Sequence, residues 1–130
     1  ALGARDLENQ VVEVARRDTR EKMTVALEGL SSYLEQLLQD IQSSVFNKAL
    51  QYRDAHITLA DDWDTFVRIL DEKGGFVSAH WDGSPETEET IKTKSKATIR
   101  CIPLDNPLEE GHCILTGNPS RQRVLFARAY

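Results

Sequence analysis

Four side chains of the kind that hold metal ions fall in two short stretches, His80 and Asp82 in one and His112 and Cys113 in the other. Together they offer the nitrogen, oxygen and sulfur donors of a tetrahedral zinc site. Both stretches read as strand ends, where adjacent residues point to opposite faces. His80 and Asp82 can share a face but His112 and Cys113 should not, so absence of a metal is expected over a site built from this His/His/Asp/Cys set. A second candidate is the pair Arg5-Asp6. An arginine fork matches the acceptors of guanine and a carboxylate accepts from its amino and imino groups, but from the residues alone an exposed ion pair at a helix start is expected over such a contact. The third is a basic set, Lys92, Lys94, Lys96, Arg100, Arg121, Arg123 and Arg128. Arg121 and Arg123 share a strand face while Arg128 has the opposite parity, and no aromatic platform interleaves them. A solvated face, or pairing with the acidic segment 61–72, is expected over a phosphate-binding stripe. Nothing points to catalysis: the three histidines lack a nucleophile partner and no glycine-rich phosphate loop occurs.

The elements that must position these groups follow from apolar spacing. Val11, Val12 and Val14 make a short strand, with Met23, Val25 and Leu27 as an alternating partner strand or the approach to a helix. Two strands cannot hold a core alone, so this piece must pack on something else. Leu30, Leu34, Leu37, Ile41, Val45, Ala49 and Tyr52 recur at helical spacing over residues 29–54. A helix of about 25 residues is roughly 38 Å long, enough to connect two bodies. Residues 56–60 form a strand; Asp61 caps a helix with Trp63, Phe66, Val67 and Leu70 on its buried side; Gly74-Gly75 ends it; residues 76–81 form a strand; and Ser84-Pro85 opens a helix to residue 95. Three apolar runs follow, at 97–103, 112–115 and 123–129, the last two expected to pair as a hairpin with Gly117 and Pro119 in its tip. Strand, helix, strand, helix and then three strands indicate a two-layer α/β (α+β) arrangement with helices on a mixed sheet.

The chain has 130 residues and a net charge of -5, so it has no global attraction for nucleic acid. The charge is uneven: residues 1–91 hold 9 Lys/Arg against 18 Asp/Glu, and residues 92–130 hold 7 against 3. Cys101 and Cys113 stand on neighbouring expected strands; without a signal peptide or a disulfide-dense pattern they are read as reduced, in a cytoplasmic protein. No apolar run approaches the roughly 20 residues of a membrane span.

Three strings, ATIRCIPL (97–104), Cys113-x-x-Thr116-Gly117-Asn118-Pro119-Ser120 and the ending RVLFARAY, resemble the extreme C-terminus of prolyl-tRNA synthetases in which an extra domain follows the anticodon-binding domain. The resemblance implies residues 1–27 as the end of the anticodon-binding domain, 28–54 as a connecting helix and 55–130 as a C-terminal domain of βαβα-ββ arrangement. In that family four cysteines bind zinc, in a W-C-G-x-x-x-C-like loop and a C-x-x-C-G-x-P-S hairpin. Here Asp82, Thr87, Cys113 and Thr116 occupy those positions, so zinc is expected to be absent and the knuckle to be held by hydrogen bonds and packing. Gly3-Ala4-Arg5-Asp6-Leu7-Glu8 resembles the family's G-P-[K/R]-D-L-E segment, which implies contact of Arg5 and Asp6 with the anticodon of the tRNA for proline. Tyr130 is implied to turn towards the catalytic domain. By the same resemblance the whole enzyme is a homodimer that uses ATP and Mg²⁺ to attach proline to tRNA, while this portion binds or braces tRNA and has no active site. The rival reading is a free-standing interaction module whose partner surface is the long helix.

Overall fold

The computed structural model describes residues 2–129, so the expected role of Tyr130 lies outside the described residues. The chain divides into two compact units, Ala1–Tyr52 and Arg53–Tyr130. Among the described residues, no helix is long and apolar enough to cross a membrane.

The first unit contains a short helix α1 (Ala4–Glu8), strands β1 (Val11–Ala15) and β2 (Lys22–Ala26), and most of the long helix α2 (Leu30–Ala55). β1 and β2 pair antiparallel, with Val12 opposite Val25 and Val14 opposite Met23, so that the alternating valines line up across the ladder. The connection is fixed by Arg16, whose guanidinium donates to both carboxylate oxygens of Asp18 at 3.1 and 2.8 Å. That hydrogen bonding holds the Asp18 carboxyl down at about 2, against the opposing effect of desolvation. Leu37 is the one buried side chain of this unit among the described residues, while Leu38, Val45, Phe46 and Tyr52 of α2 are exposed. The helical spacing is thus correct, but much of its apolar stripe is uncovered.

The second unit is the α+β body expected from the alternation of strands and helices. Strands β3 (Ile57–Leu59), β4 (Phe76–His80), β5 (Ala97–Cys101) and β8 (Arg123–Arg128) form one mixed sheet in the order β3-β4-β8-β5, with β3 parallel to β4 and the other pairings antiparallel. Helices α3 (Trp63–Glu72) and α4 (Pro85–Ser95) pack on the face that carries Val77, Ala79, Ala97, Val124 and Phe126. Phe66, fully buried, meets Phe126 edge-on with ring centroids 5.2 Å apart, which places an aromatic contact at the centre of the core.

The last strand departs from expectation. Residues 112–115 do not pair with 123–129. Instead two short strands, β6 (Gly111–His112) and β7 (Pro119–Ser120), enclose a tight knuckle, and β8 inserts between β4 and β5. The apolar Ile114 that suggested a strand is buried in the core as part of a turn. Pro119 lies in β7, so only Gly117 remains at the tip. The helix cap also moves by one residue: Asp62, not Asp61, accepts from Thr65 N–H at 2.8 Å, because Asp61 is drawn to Arg123. Gly75, with φ near +79°, follows the helix as expected; a Cβ there would lie 2.7 Å from the His56 carbonyl oxygen.

Arginines secure both ends of β8. Arg123 donates to Glu109 through Nε and Nη2, each at 2.9 Å, to Asp61, and to the Ala60 and Ser78 carbonyls at 3.2 and 3.4 Å. Arg128 donates to the Ser95 and Leu70 carbonyls at 2.7 and 3.3 Å and pairs with Asp71, and so satisfies carbonyls at the C-terminal ends of α4 and α3. Phe126→Ala is expected to cost about 3–5 kcal/mol in urea unfolding of the second unit, because it removes the central core contact and leaves a cavity.

Candidate functional site

Asp82 follows directly on β4 and the Trp81 position, in the loop that leads into α4. Ser84 caps that helix: its hydroxyl accepts from Thr87 N–H at 3.2 Å, and Pro85 follows at the first helical position, where its missing N–H costs nothing. Trp81 closes the loop by donating Nε1–H to the Ser84 carbonyl at 3.1 Å, and Asp82 Oδ1 accepts from Ser84 N–H at 3.2 Å. The Asp82 carboxylate is thereby held at the helix start by Oδ1, with Oδ2 left for other donors.

That oxygen meets the knuckle. Oδ2 accepts from Thr116 Oγ1 at 2.8 Å, Thr87 Oγ1 at 3.1 Å and Asn118 Nδ2 at 3.2 Å. The knuckle supports itself as well: Cys113 N–H donates to the Asn118 carbonyl at 2.8 Å, Gly117 N–H to the Cys113 carbonyl at 2.9 Å, and Asn118 N–H to Thr116 Oγ1 at 3.2 Å. Ile114 N–H reaches the His80 carbonyl, which ties the turn to the end of β4. Cys113 is buried, Cys101 is exposed, and both thiols are free. Desolvation opposes ionisation of Asp82, yet the donors from Thr116, Ser84 N–H, Thr87 and Asn118 outweigh it and hold the carboxyl below the usual range. Glu86, in the first turn of α4, is also held low, by its own N–H and by the Ser84 hydroxyl.

Behind this cluster, His80 is buried with Nδ1 3.1 Å from Ser120 Oγ. Ser120 gives its hydroxyl hydrogen to the Gln122 carbonyl, so Nδ1 is the donor towards Ser120. His80 Nε2 has no hydrogen-bond partner among the described residues; Glu109 Oε1 lies 3.6 Å away. Gly111 sits against the ring so closely that a Cβ would come within 2.3 Å of Nε2. Glu109 is held low first by the hydrogen bonds from Arg123, with desolvation opposing and the Arg123 charge adding to the effect.

The family described as "Prolyl-tRNA synthetase, C-terminal" matches residues 63–130, more than half of the chain. The chain belongs to the prolyl-tRNA synthetase family. All 130 residues align with the proline–tRNA ligase of Cytophaga hutchinsonii at 62% identity and with that of Flavobacterium psychrophilum at 56%. A third proline–tRNA ligase, from Phocaeicola vulgatus, is 54% identical over 99% of the chain. In each case the chain spans 26% of the relative's length.

Of the four positions at which the resemblance implies zinc ligands, three are hydrogen-bonded together, Thr87 and Thr116 through Asp82, and the fourth, Cys113, lies in the same knuckle. This donor set does not fit zinc. It offers one thiol, one carboxylate already bound by four donors, and two hydroxyls, which are poor zinc ligands. His80 and His112 do not complete it, because no three His, Cys, Asp or Glu side chains gather closely enough to hold a metal among the described residues. Asn118 is a member that sequence reading missed: an Asn in a turn signals a local bond, whereas its partner lies 36 residues away.

The remaining candidates lie elsewhere. Arg5 and Asp6 sit in α1, with no salt bridge between them among the described residues. Asp6 Oδ2 accepts from Gly3 N–H at 2.8 Å, and the Arg5 side chain is exposed. Of the basic set, Arg123 and Arg128 are committed to Asp61 and Asp71, and Lys92 to Glu89.

Two outcomes are expected. Gly111→Ala should destabilise the second unit by about 1–3 kcal/mol in denaturant titrations, since the methyl group must displace the buried His80 ring. Acidification should also weaken this unit. Asp62, Asp82, Glu86 and Glu109 all have lowered folded-state pKa values, so their contribution is full above the ordinary carboxylate range and is lost as pH falls through the lowered values. Unfolding free energy should hold down to about pH 5 and then decline, as read by urea midpoints across pH.

Proposed function

We propose that this chain is the C-terminal quarter of a cytoplasmic proline–tRNA ligase and that it braces the tRNA for proline and the catalytic body without an active site of its own. The observation that carries the reading is the full-length alignment with proline–tRNA ligases at 54–62% identity, confined to a quarter of their length. In this reading residues 1–27 close the anticodon-binding domain, 28–54 connect, and 55–130 form the C-terminal domain. Activation of proline with ATP and Mg²⁺ takes place in the part of the enzyme outside this chain, which works as a homodimer.

Arg5 and Asp6 are the anticodon contacts in this proposal. Exposure of the Arg5 guanidinium, with no intramolecular ion pair to Asp6, leaves its fork available for a guanine edge. The knuckle is read as zinc-free, on the chemistry of its donors. The uncovered Leu38, Val45, Phe46 and Tyr52 of α2 suit a protein-facing surface, which would also serve the rival reading of an interaction module.

Titration of the chain with the tRNA for proline tests the reading. Arg5→Ala is expected to weaken binding by about 1–3 kcal/mol, and equal affinity of variant and wild type removes Arg5 from the contact. A well-ordered monomer that ignores this tRNA altogether would favour the interaction module. Elemental analysis of protein purified without added metal should find no stoichiometric zinc.

A further inference from the structure

We propose that the Asp82 carboxylate does the mechanical work of the missing metal, joining the β4–α4 loop to the knuckle through a single oxygen atom. A zinc ion in such a place is a central cation that gathers four anionic thiolates. Here the polarity of the joint is inverted: a central anion gathers donors. Oδ2 draws Thr87 from α4 and Thr116 and Asn118 from the knuckle to within 2.8–3.2 Å, while Oδ1 holds Ser84 N–H at the helix cap. Two of these donors, Thr87 and Thr116, stand with Asp82 at positions where the resemblance implies ligands, so three of the four still meet although their chemistry has changed, and Cys113 lies in the same knuckle. Charge-assisted bonds of this kind are roughly twice as strong as neutral ones, and several on one carboxylate can fix a loop. Glu86, the charged group facing Asp82 from the first turn of α4, does not compete, because its carboxylate accepts from Ser84 Oγ at 2.9 Å.

The inference rests on the zinc-free reading of the knuckle, which metal analysis decides by itself; the Asp82 variants decide the joint. Amide exchange of the 130-residue chain is measured by NMR for wild type, Asp82→Ala and Asp82→Asn. Both variants are expected to speed exchange of the Cys113, Ile114 and Gly117 amides by about tenfold or more while the β4 and β8 amides stay protected, which shows that the sheet remains folded. Asparagine has nearly the same shape but one acceptor oxygen fewer. An Asp82→Asn protein whose knuckle exchanges as slowly as wild type reduces Asp82 to a packing residue and overturns the proposal. The combined variant Asp82→Cys, Thr87→Cys and Thr116→Cys, together with Cys113, is expected to bind Co²⁺ with the visible bands of tetrahedral thiolate coordination and to lose knuckle protection on addition of EDTA. A folded triple variant that binds no Co²⁺ shows that the four positions do not converge, and that also overturns it.

Discussion

The second unit depends on a strand held at both ends by arginine. β8 lies between β4 and β5, so the sheet has no continuous ladder without it. At its start Arg123 is largely shielded from solvent, and its five donors are shared between two carboxylates and two main-chain carbonyls. At its end Arg128 satisfies carbonyls of both helices. Each guanidinium thus fixes the position of elements that the hydrophobic core only brings close. Every sheet contact that β8 makes spans a long sequence interval. Such pairings carry a large loop-closure cost before they are rewarded.

The two units differ in how they meet the demand for burial. In the second, helices and sheet supply Phe66, Ile91, Val77, Val124 and Phe126 to one closed core. In the first, a two-stranded ribbon and one long helix bury almost nothing, and the turn between the strands relies on the Arg16–Asp18 pair. A ribbon of this size is marginal in water, and exposed leucine, valine and phenylalanine on one helix suit a surface that is covered in a larger assembly.

Much of the fold was legible because local chemistry and tertiary demand agree. Ser84-Pro85 opens α4 where cap preference places it, Gly74-Gly75 closes α3, and the helical spacing over 29–54 matches α2 to within a residue at each end. The reading went wrong where a distant partner decides the outcome. Asp61 and Asp62 are equally good caps by composition, and only the pull of Arg123 across the sheet separates them. Ile114 and Leu115 read as a strand because burial and extension look alike in a short apolar run. The site is legible only through resemblance, which picks out the positions of Asp82, Thr87, Cys113 and Thr116; their hydrogen bonds, the part played by Asn118 and the contact of Gly111 with His80 depend on a close approach that no local pattern encodes.

The carboxylate-centred knuckle also constrains how this sequence can change. Placing cysteine at a single one of positions 82, 87 or 116 removes either the acceptor or one of its donors, and leaves too few thiolates to hold an ion. Because Thr87, Thr116 and Asn118 share one acceptor oxygen, the costs of substitutions among these residues do not add, and the position that matters most to the knuckle is the one that none of its own residues occupies.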